Sequence, residues 1–146
     1  MRAVIQRVLK AKVDIDGKTV GQIEKGLLVY LGVGIGDTEE DAKFFAEKIS
    51  ALRIFSDQQD KMNLSVSDVG GSILLISNFT LYGDCQKGRR PGFDDAARPE
   101  LAQKLYEMVV VLIKKQGINV QTGVFAAKML VDSVNDGPVT FILNSR

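Results

Sequence analysis

Two polar clusters are the places in this chain where chemistry can be built: Ser77-Asn-Phe-Thr80-Leu81, at the end of an apolar run, and Asn135-Asp-Gly-Pro138-Val-Thr140, between two others. The first offers hydroxyls and an amide at a strand end, where side chains and free backbone amides can line a pocket. Alternation would send Ser77, Phe79 and Leu81 to one side and Asn78 and Thr80 to the other. Ordinary strand residues account for that pattern equally simply. The second cluster reads first as a hairpin turn, with Pro138 unable to donate to a sheet ladder. The chain has no histidine at all. Imidazole bases, Ser-His-Asp and Cys-His pairs and histidine-rich zinc sites are therefore excluded. Any reaction must run on hydroxyls, carboxylates, lysines, backbone groups or the substrate itself.

Three further segments were weighed. Lys87-Gly-Arg89-Arg90-Pro91 is the densest basic cluster, able to contact phosphates or to serve as a solvated loop. Gly32-Val-Gly34-Ile-Gly36-Asp37 follows a strand and opens a helix, as a dinucleotide fingerprint does. That fingerprint needs a third glycine where Asp37 stands, so the segment reads as a glycine-rich strand-to-helix turn. Cys85 has cationic neighbours in sequence but no histidine to act as base, and reads as an incidental surface thiol.

The elements that must position these groups follow from periodicity. Residues 4–15, 19–23 and 27–33 are strand-like, with turns at Asp16-Gly17 and Lys25-Gly26. A helix is predicted over 38–54, opened by a Thr38/Asp41 capping box and striped by Ala42, Phe45, Ala46, Ile49 and Leu52. Residues 72–81 read as a central buried strand. A second helix is predicted over 99–116, with Pro99 at its first position, an inward stripe of Leu101, Leu105, Met108, Val109 and Leu112, and Gly117 at its end. Strands are expected again over 120–125, 129–134 and 139–143. Residues 1–146 then make a single α+β domain with a mostly antiparallel, barrel-like β-sheet and two main helices.

Bulk properties agree with that class. Apolar residues make up 45% and charged residues 25%, as in soluble globular domains. The net charge of +1 gives no global field toward nucleic acid, so an RNA contact must come from a local cluster. No apolar run reaches the roughly 18 residues of a membrane helix, and no secretory leader is evident. The single cysteine suits a reducing cytoplasm, and no metal or cofactor is expected.

Taken together, the segments resemble the D-aminoacyl-tRNA deacylase family from end to end. The resemblance rests on Met1-Arg-Ala-Val-Ile-Gln-Arg-Val8, Leu52-Arg-Ile-Phe55, Lys87-Gly-Arg-Arg-Pro91, Thr122-Gly-Val-Phe125 and the closing Phe-Ile-Leu-Asn-Ser. The family's motifs Ser-Gln-Phe-Thr-Leu and Asn-x-Gly-Pro-Val-Thr stand here as Ser77-Asn78-Phe79-Thr80-Leu81 and Asn135-Asp136-Gly137-Pro138-Val139-Thr140. Asn78 replaces the usual glutamine, and Ala126 stands where glycine usually follows the phenylalanine.

The resemblance implies hydrolysis of the ester of D-aminoacyl-tRNA, and of glycyl-tRNA mischarged on tRNA(Ala), as a chiral proofreading step in translation. It implies a homodimer with active sites at the subunit interface, acting on the aminoacylated 3′ end of tRNA. A cis Gly137-Pro138 bond would project from one subunit into the other's pocket, steadied by Arg7. Its carbonyls would occupy the space an L side chain needs, so that L-substrates are rejected sterically. Ser77, Asn78 and Phe125 would complete the substrate site, with Lys87, Arg89 and Arg90 toward the tRNA. The ribose 2′-hydroxyl would assist hydrolysis while backbone N–H groups near Phe79 and Thr80 hold the oxyanion. Three alternatives remain at this point: Thr80 as a covalent nucleophile, a non-catalytic tRNA- or protein-binding module on the same scaffold, and a related deacylase of altered chirality whose trans Gly-Pro bond admits small L-residues.

Overall fold

In a computed structural model of the chain, residues 1–86 and 88–145 are described. Strands β1 (Arg2–Ile15), β2 (Lys18–Ile23) and β3 (Gly26–Gly32), of which β2 and β3 both pair with β1, are followed by helix α1 (Glu39–Ala51). A short hairpin, β4 (Phe55–Ser56) and β5 (Met62–Leu64), leads to β6 (Ser72–Ser77). A 3-10 turn (Phe79–Tyr82), helix α2 (Pro99–Lys115), β7 (Asn119–Thr122) and β8 (Leu130–Asn144) complete the chain.

The sheet runs β2-β1-β3-β6-β7, with β8 added to β1. β1 pairs antiparallel with β2, β3 and β8, whereas β3–β6 and β6–β7 are parallel. The ends nearly close into a barrel. A Cβ at Gly21 on β2 would lie 2.6 Å from the Thr122 carbonyl oxygen on β7, so only glycine allows that approach.

Side-chain alternation divides the core into two layers. Leu27, Val29 and Leu31 of β3 and Ile73 and Leu75 of β6 face α1 and α2, meeting Phe45, Ile49, Leu105 and Val109. Leu28, Leu74 and Ile76 face the other way, into the barrel, with Val8, Ala11, Val13 and Ile23. β1 contributes to both layers: Ala3 and Ile5 to the helix side, Val8, Ala11 and Val13 to the barrel. It changes sides because its pairing with β8 takes up one extra β1 residue between Val8 and Lys10, so that Val8, Ala11 and Val13 share a face. A first slip, with the extra residues on β8, lies between Gln6 and Val8. Arg7 stands at the first slip.

The helices form where local signals place them. The Asp41 carboxylate accepts from the Thr38 amide and hydroxyl, each at 2.8 Å, which holds that carboxyl below its usual range. Helix α1 ends at Ala51, earlier than the expected 54, because the chain turns extended at Leu52 to lead into β4. On α2 the buried face is Ala102, Leu105, Tyr106, Val109 and Ile113. Leu101 is exposed and Met108 and Leu112 are half-buried, so the inward stripe is rotated from the one expected.

Three strand assignments are corrected. The run 72–81 is strand only to Ser77; a 3-10 turn begins at Phe79, and alternation ends there. The strand expected over 120–125 stops at Thr122. The two last strands and the turn between them are one strand, β8, both of whose halves pair with β1. Asn135 to Thr140 is therefore a bulge within a strand and not a hairpin turn. Hydrophobic patterning saw the interruption at Gly137-Pro138, but only the long-range pairing shows that the chain continues along the same neighbour.

Candidate active site

Ser77 ends β6 where the strand leaves the barrel mouth. Asn78 follows in an extended conformation, and its amide donates to the Leu31 carbonyl, extending the β3–β6 ladder by one bond of 2.9 Å. Its side chain then folds forward and caps the 3-10 turn. The Asn78 Oδ1 accepts from the Thr80 amide at 3.2 Å and from the Thr80 hydroxyl at 2.5 Å. The carbonyl arm of asparagine has the reach for this local cap.

These bonds determine which groups are free to react. The Thr80 amide and hydroxyl hydrogens are both committed to Asn78. Among the described residues, no hydrogen bond is donated by the Phe79 amide. The Phe79 ring is exposed and packs edge-on against Phe93, with centroids 5.0 Å apart.

A cavity of about 640 Å³ opens beside this turn. Its walls come from β3 (Tyr30, Leu31), the β6 end (Ile76, Ser77, Asn78, Phe79), the start of α2 with the segment before it (Phe93, Ala96, Pro99) and the β7–β8 connection (Phe125, Ala126, Met129). Phe125 packs against Tyr106, whose hydroxyl donates to the Leu75 carbonyl at 2.8 Å and whose burial pushes its pKa up. Ala126 takes a positive φ of 61°, unusual for a residue with a Cβ. The chamber is apolar and aromatic with a rim of amides and hydroxyls, suited to a flat ring joined to a polar group. Among the described residues no group of three or more Cys, Asp or Glu side chains converges as a metal site would require.

Arg7, Gly137 and Pro138 form a second cluster, apart from this cavity. β1 and β8 pair at Gln6–Thr140 and next at Val8–Asn135, so residues 136–139 bulge out opposite Arg7 alone. The Gly137–Pro138 peptide is cis, Gly137 has φ 129°, and both residues are exposed. Asn135 Nδ2 closes the neck of the bulge by donating to the Arg7 and Val139 carbonyls at 2.9 and 3.1 Å. Arg7 braces it from behind. Its Nη1 donates to the Ile54 carbonyl at 2.8 Å, and its Nε lies 2.9 Å from the Asp136 carboxylate as an ion pair off the hydrogen-bond line. A Cβ on Gly137 would meet Val139 Cγ2 at 2.6 Å and Arg7 Nη2 at 3.4 Å.

Of the residues singled out in the sequence, Ser77, Asn78, Phe79 and Phe125 are thus brought to one cavity, with Thr80 on the adjoining turn. Arg7, Gly137 and Pro138 are brought together elsewhere. Arg89 and Arg90 are exposed on the loop leading to Phe93, tied at its base by Asp84–Gly92 backbone bonds, and Lys87 lies outside the described residues. Sequence reasoning missed Tyr30, Phe93, Ala96 and Met129 as lining residues, because they come from three separate segments with no common motif.

Fold and site together define a small α+β domain whose nearly closed sheet carries an apolar, ring-lined pocket beside a 3-10 turn. The comparisons make the class specific. The D-Tyr-tRNA(Tyr) deacylase family model matches residues 4–144, and the chain belongs to that family. It is 60% identical to a D-aminoacyl-tRNA deacylase of Fervidobacterium nodosum, over 100% of this chain and 98% of the relative. A Clostridioides difficile protein of the same name is 59% identical, over 99% and 97% of the two chains. Among solved structures, a c-Myc DNA unwinding element binding protein superposes with a TM-score of 0.93 at 36% identity, covering 100% of this chain and 99% of that one. A probable eukaryotic D-amino acid tRNA deacylase shares the fold, with a TM-score of 0.81 at 16% identity and 97% coverage of both.

Proposed function

We propose that this chain removes D-aminoacyl groups, and glycine mischarged on tRNA(Ala), from tRNA by hydrolysing the ester to the terminal ribose. As a member of its family the chain is a D-aminoacyl-tRNA deacylase, a hydrolase of that ester bond. The observation that carries the detailed reading is the separation of the two clusters: a ring pocket ends at the unpartnered Phe79 amide, while the exposed Gly137–Pro138 bulge lies apart from it.

The terminal adenine enters the pocket beside Phe125, with Ser77 and Asn78 at its rim. This leaves the ester carbonyl at the 3-10 turn. Water adds to the carbonyl carbon, and the oxyanion is held by the Phe79 N–H. The ribose 2′-hydroxyl orients the water and relays its proton, and the acyl bond to the ribose oxygen breaks as that oxygen takes up the proton. Thr80 shapes the turn and is not the nucleophile, because its hydroxyl hydrogen is committed to Asn78 and no base faces it.

The bulge works in trans. β8 is an edge strand carrying exposed Leu130, Val134, Phe141 and Ile142, a surface that favours pairing with a second copy. In that dimer, the Gly137 and Pro138 carbonyls of one subunit close the pocket of the other and exclude L side chains. Arg89 and Arg90 contact the acceptor-stem phosphates. No helix is long and apolar enough to cross a membrane. The cytoplasm, where charged tRNA is used, is the proposed setting.

The test is release of D-tyrosine from D-tyrosyl-tRNA beside the L-ester and a substrate whose terminal adenosine lacks the 2′-hydroxyl. The expected result is cleavage of the D-ester alone, with the deoxy substrate slower by about a hundredfold or more, the scale of lost proton-transfer assistance. Thr80→Ala keeps activity within about tenfold, the scale of one tenfold rate factor per 1.36 kcal/mol. Equal cleavage of the deoxy substrate, or abolition of activity in Thr80→Ala, would overturn this mechanism. Binding of tRNA without any release of D-tyrosine would overturn the enzymatic reading altogether.

A further inference from the structure

The glycine-rich segment after β3 has no part in the reaction just described, yet it touches the turn that does. Tyr82, the last residue of the 3-10 turn, lays its ring against Gly32 and Gly34. A Cβ on Gly34 would lie 2.4 Å from Tyr82 Cε1, and one on Gly32 would lie 3.3 Å from Tyr82 Cδ2 and 2.9 Å from the Asn78 carbonyl oxygen. Neither position can carry a side chain while the ring is seated.

The ring is fixed at its other edges too. Its hydroxyl donates to Asp37 Oδ2 at 3.2 Å, and the same oxygen accepts from the Gly34 amide at 2.6 Å. The other carboxylate oxygen of Asp37 takes the Ser145 hydroxyl at 3.1 Å and the Met1 amino group. Arg2 stacks over the outer face of the ring, its guanidinium carbon 4.5 Å from the centroid, and its Nη1 donates to the Leu81 carbonyl at 3.2 Å. The turn is therefore held through its C-terminal residue by a rigid socket, while its N-terminal end is held by Asn78.

We infer that Gly34, Asp37 and Tyr82 are positioning residues: they form a socket that fixes the 3-10 turn, and with it the Phe79 amide, for the deacylation step. The inference rests on the proposed placement of the oxyanion at that amide. Tyr82 acts through the backbone of the turn and lies outside the pocket lining. A shift of the turn displaces the oxyanion donor but leaves the adenine pocket in place. The socket therefore governs turnover more than substrate affinity. It also accounts for Asp37 in place of the third glycine of a nucleotide fingerprint, since a carboxylate is needed there to receive the tyrosine hydroxyl.

The experiment measures kcat and KM for D-tyrosyl-tRNA with wild type, Gly34→Ala, Tyr82→Ala, their double variant and Tyr82→Phe, each checked for an unchanged circular-dichroism spectrum. Gly34→Ala and Tyr82→Ala are expected to lower kcat by about tenfold or more with KM within about twofold, the sensitivity of reaction geometry to displacement. The double variant is expected to match Tyr82→Ala alone, because the added methyl has lost the ring it strikes. Tyr82→Phe, which loses only the hydroxyl, is expected to lower kcat about threefold, about 0.65 kcal/mol of barrier. Should Gly34→Ala or Tyr82→Ala fail to fold, Tyr82→Phe decides alone. Unchanged kcat in the folded variants, multiplicative losses in the double variant, or a rise in KM alone would overturn the inference. An inactive wild type would instead overturn the proposed function, so the two failures are distinguishable.

Discussion

The 3-10 turn and the Gly137–Pro138 bulge are both short irregular segments between strand residues, but they are restrained in opposite ways. The turn is bound on all sides by its own chain: Asn78 caps one end, Tyr82 is seated at the other, and Phe93 covers Phe79. The bulge is braced only from behind, by Arg7 and Asn135, and presents its outer edge to solvent. On the proposed function, the difference would separate two tasks. A donor for a developing oxyanion must hold its position within one subunit, whereas a group that excludes one hand of a substrate need only present a rigid edge to a neighbour.

The largest expected effect separates the two regions from the bulge side. Gly137→Ala places a methyl against Val139 at a φ that side chains rarely adopt. Discrimination between D- and L-tyrosyl-tRNA is expected to fall by about tenfold or more, a change of about 1.4 kcal/mol or more in the difference between the two barriers, while turnover of the D-ester falls by no more than about threefold. Parallel assays of the two esters measure it. Equal losses in both would mean that the bulge is part of the catalytic unit and that the contrast fails.

Asn78→Ala attacks from the other side. Removal of the cap frees the Thr80 amide and loosens the turn, at a cost of about 1 kcal/mol in stability by chemical denaturation and about tenfold in kcat. D/L discrimination should be retained, because the bulge is untouched. A loss of chirality with kcat preserved would reverse the assignment of tasks.

The smallest effect concerns pH. Burial, followed by the nearby Asp37 carboxylate, pushes the Tyr82 hydroxyl from 10.0 up to about 12, against a lowering pull from Arg2. A pKa raised on folding contributes stability that is complete below pH 10 and is lost as pH rises toward 12. The melting temperature of the wild type should therefore fall more steeply over that window than that of Tyr82→Phe. Identical slopes would show that the socket does not hold the hydroxyl in its protonated form.

How much was legible depended on the range of the interaction. Thr38, Asp41 and Pro99 announced the helices because capping is settled within one turn of chain. The strand start at Ser72 was legible, but its end at Ser77 was not, since Asn78 leaves the alternation to cap a turn. The same limit hid the bulge. A Gly-Pro pair flanked by two apolar runs reads as a hairpin unless β1 is known to pair with both runs. The resemblance to a known family located the two motifs and Phe125, while Tyr30, Phe93, Ala96 and Met129, which share the cavity, carried no signal.

The sequence by itself determined the class of chemistry. Without histidine, imidazole chemistry is excluded, and any hydrolysis has to rest on hydroxyls, carboxylates, lysines, backbone groups or the substrate itself, whatever the fold. It also determined the two helices and the strand content, because periodicity and caps are local. Only the tertiary structure decided that Arg7 faces Gly137, that Gly34 receives Tyr82, and that the reactive turn and the bulge lie apart in one chain. Those relations come from strand register and close packing between distant segments, where one glycine or one slipped pairing changes which groups meet.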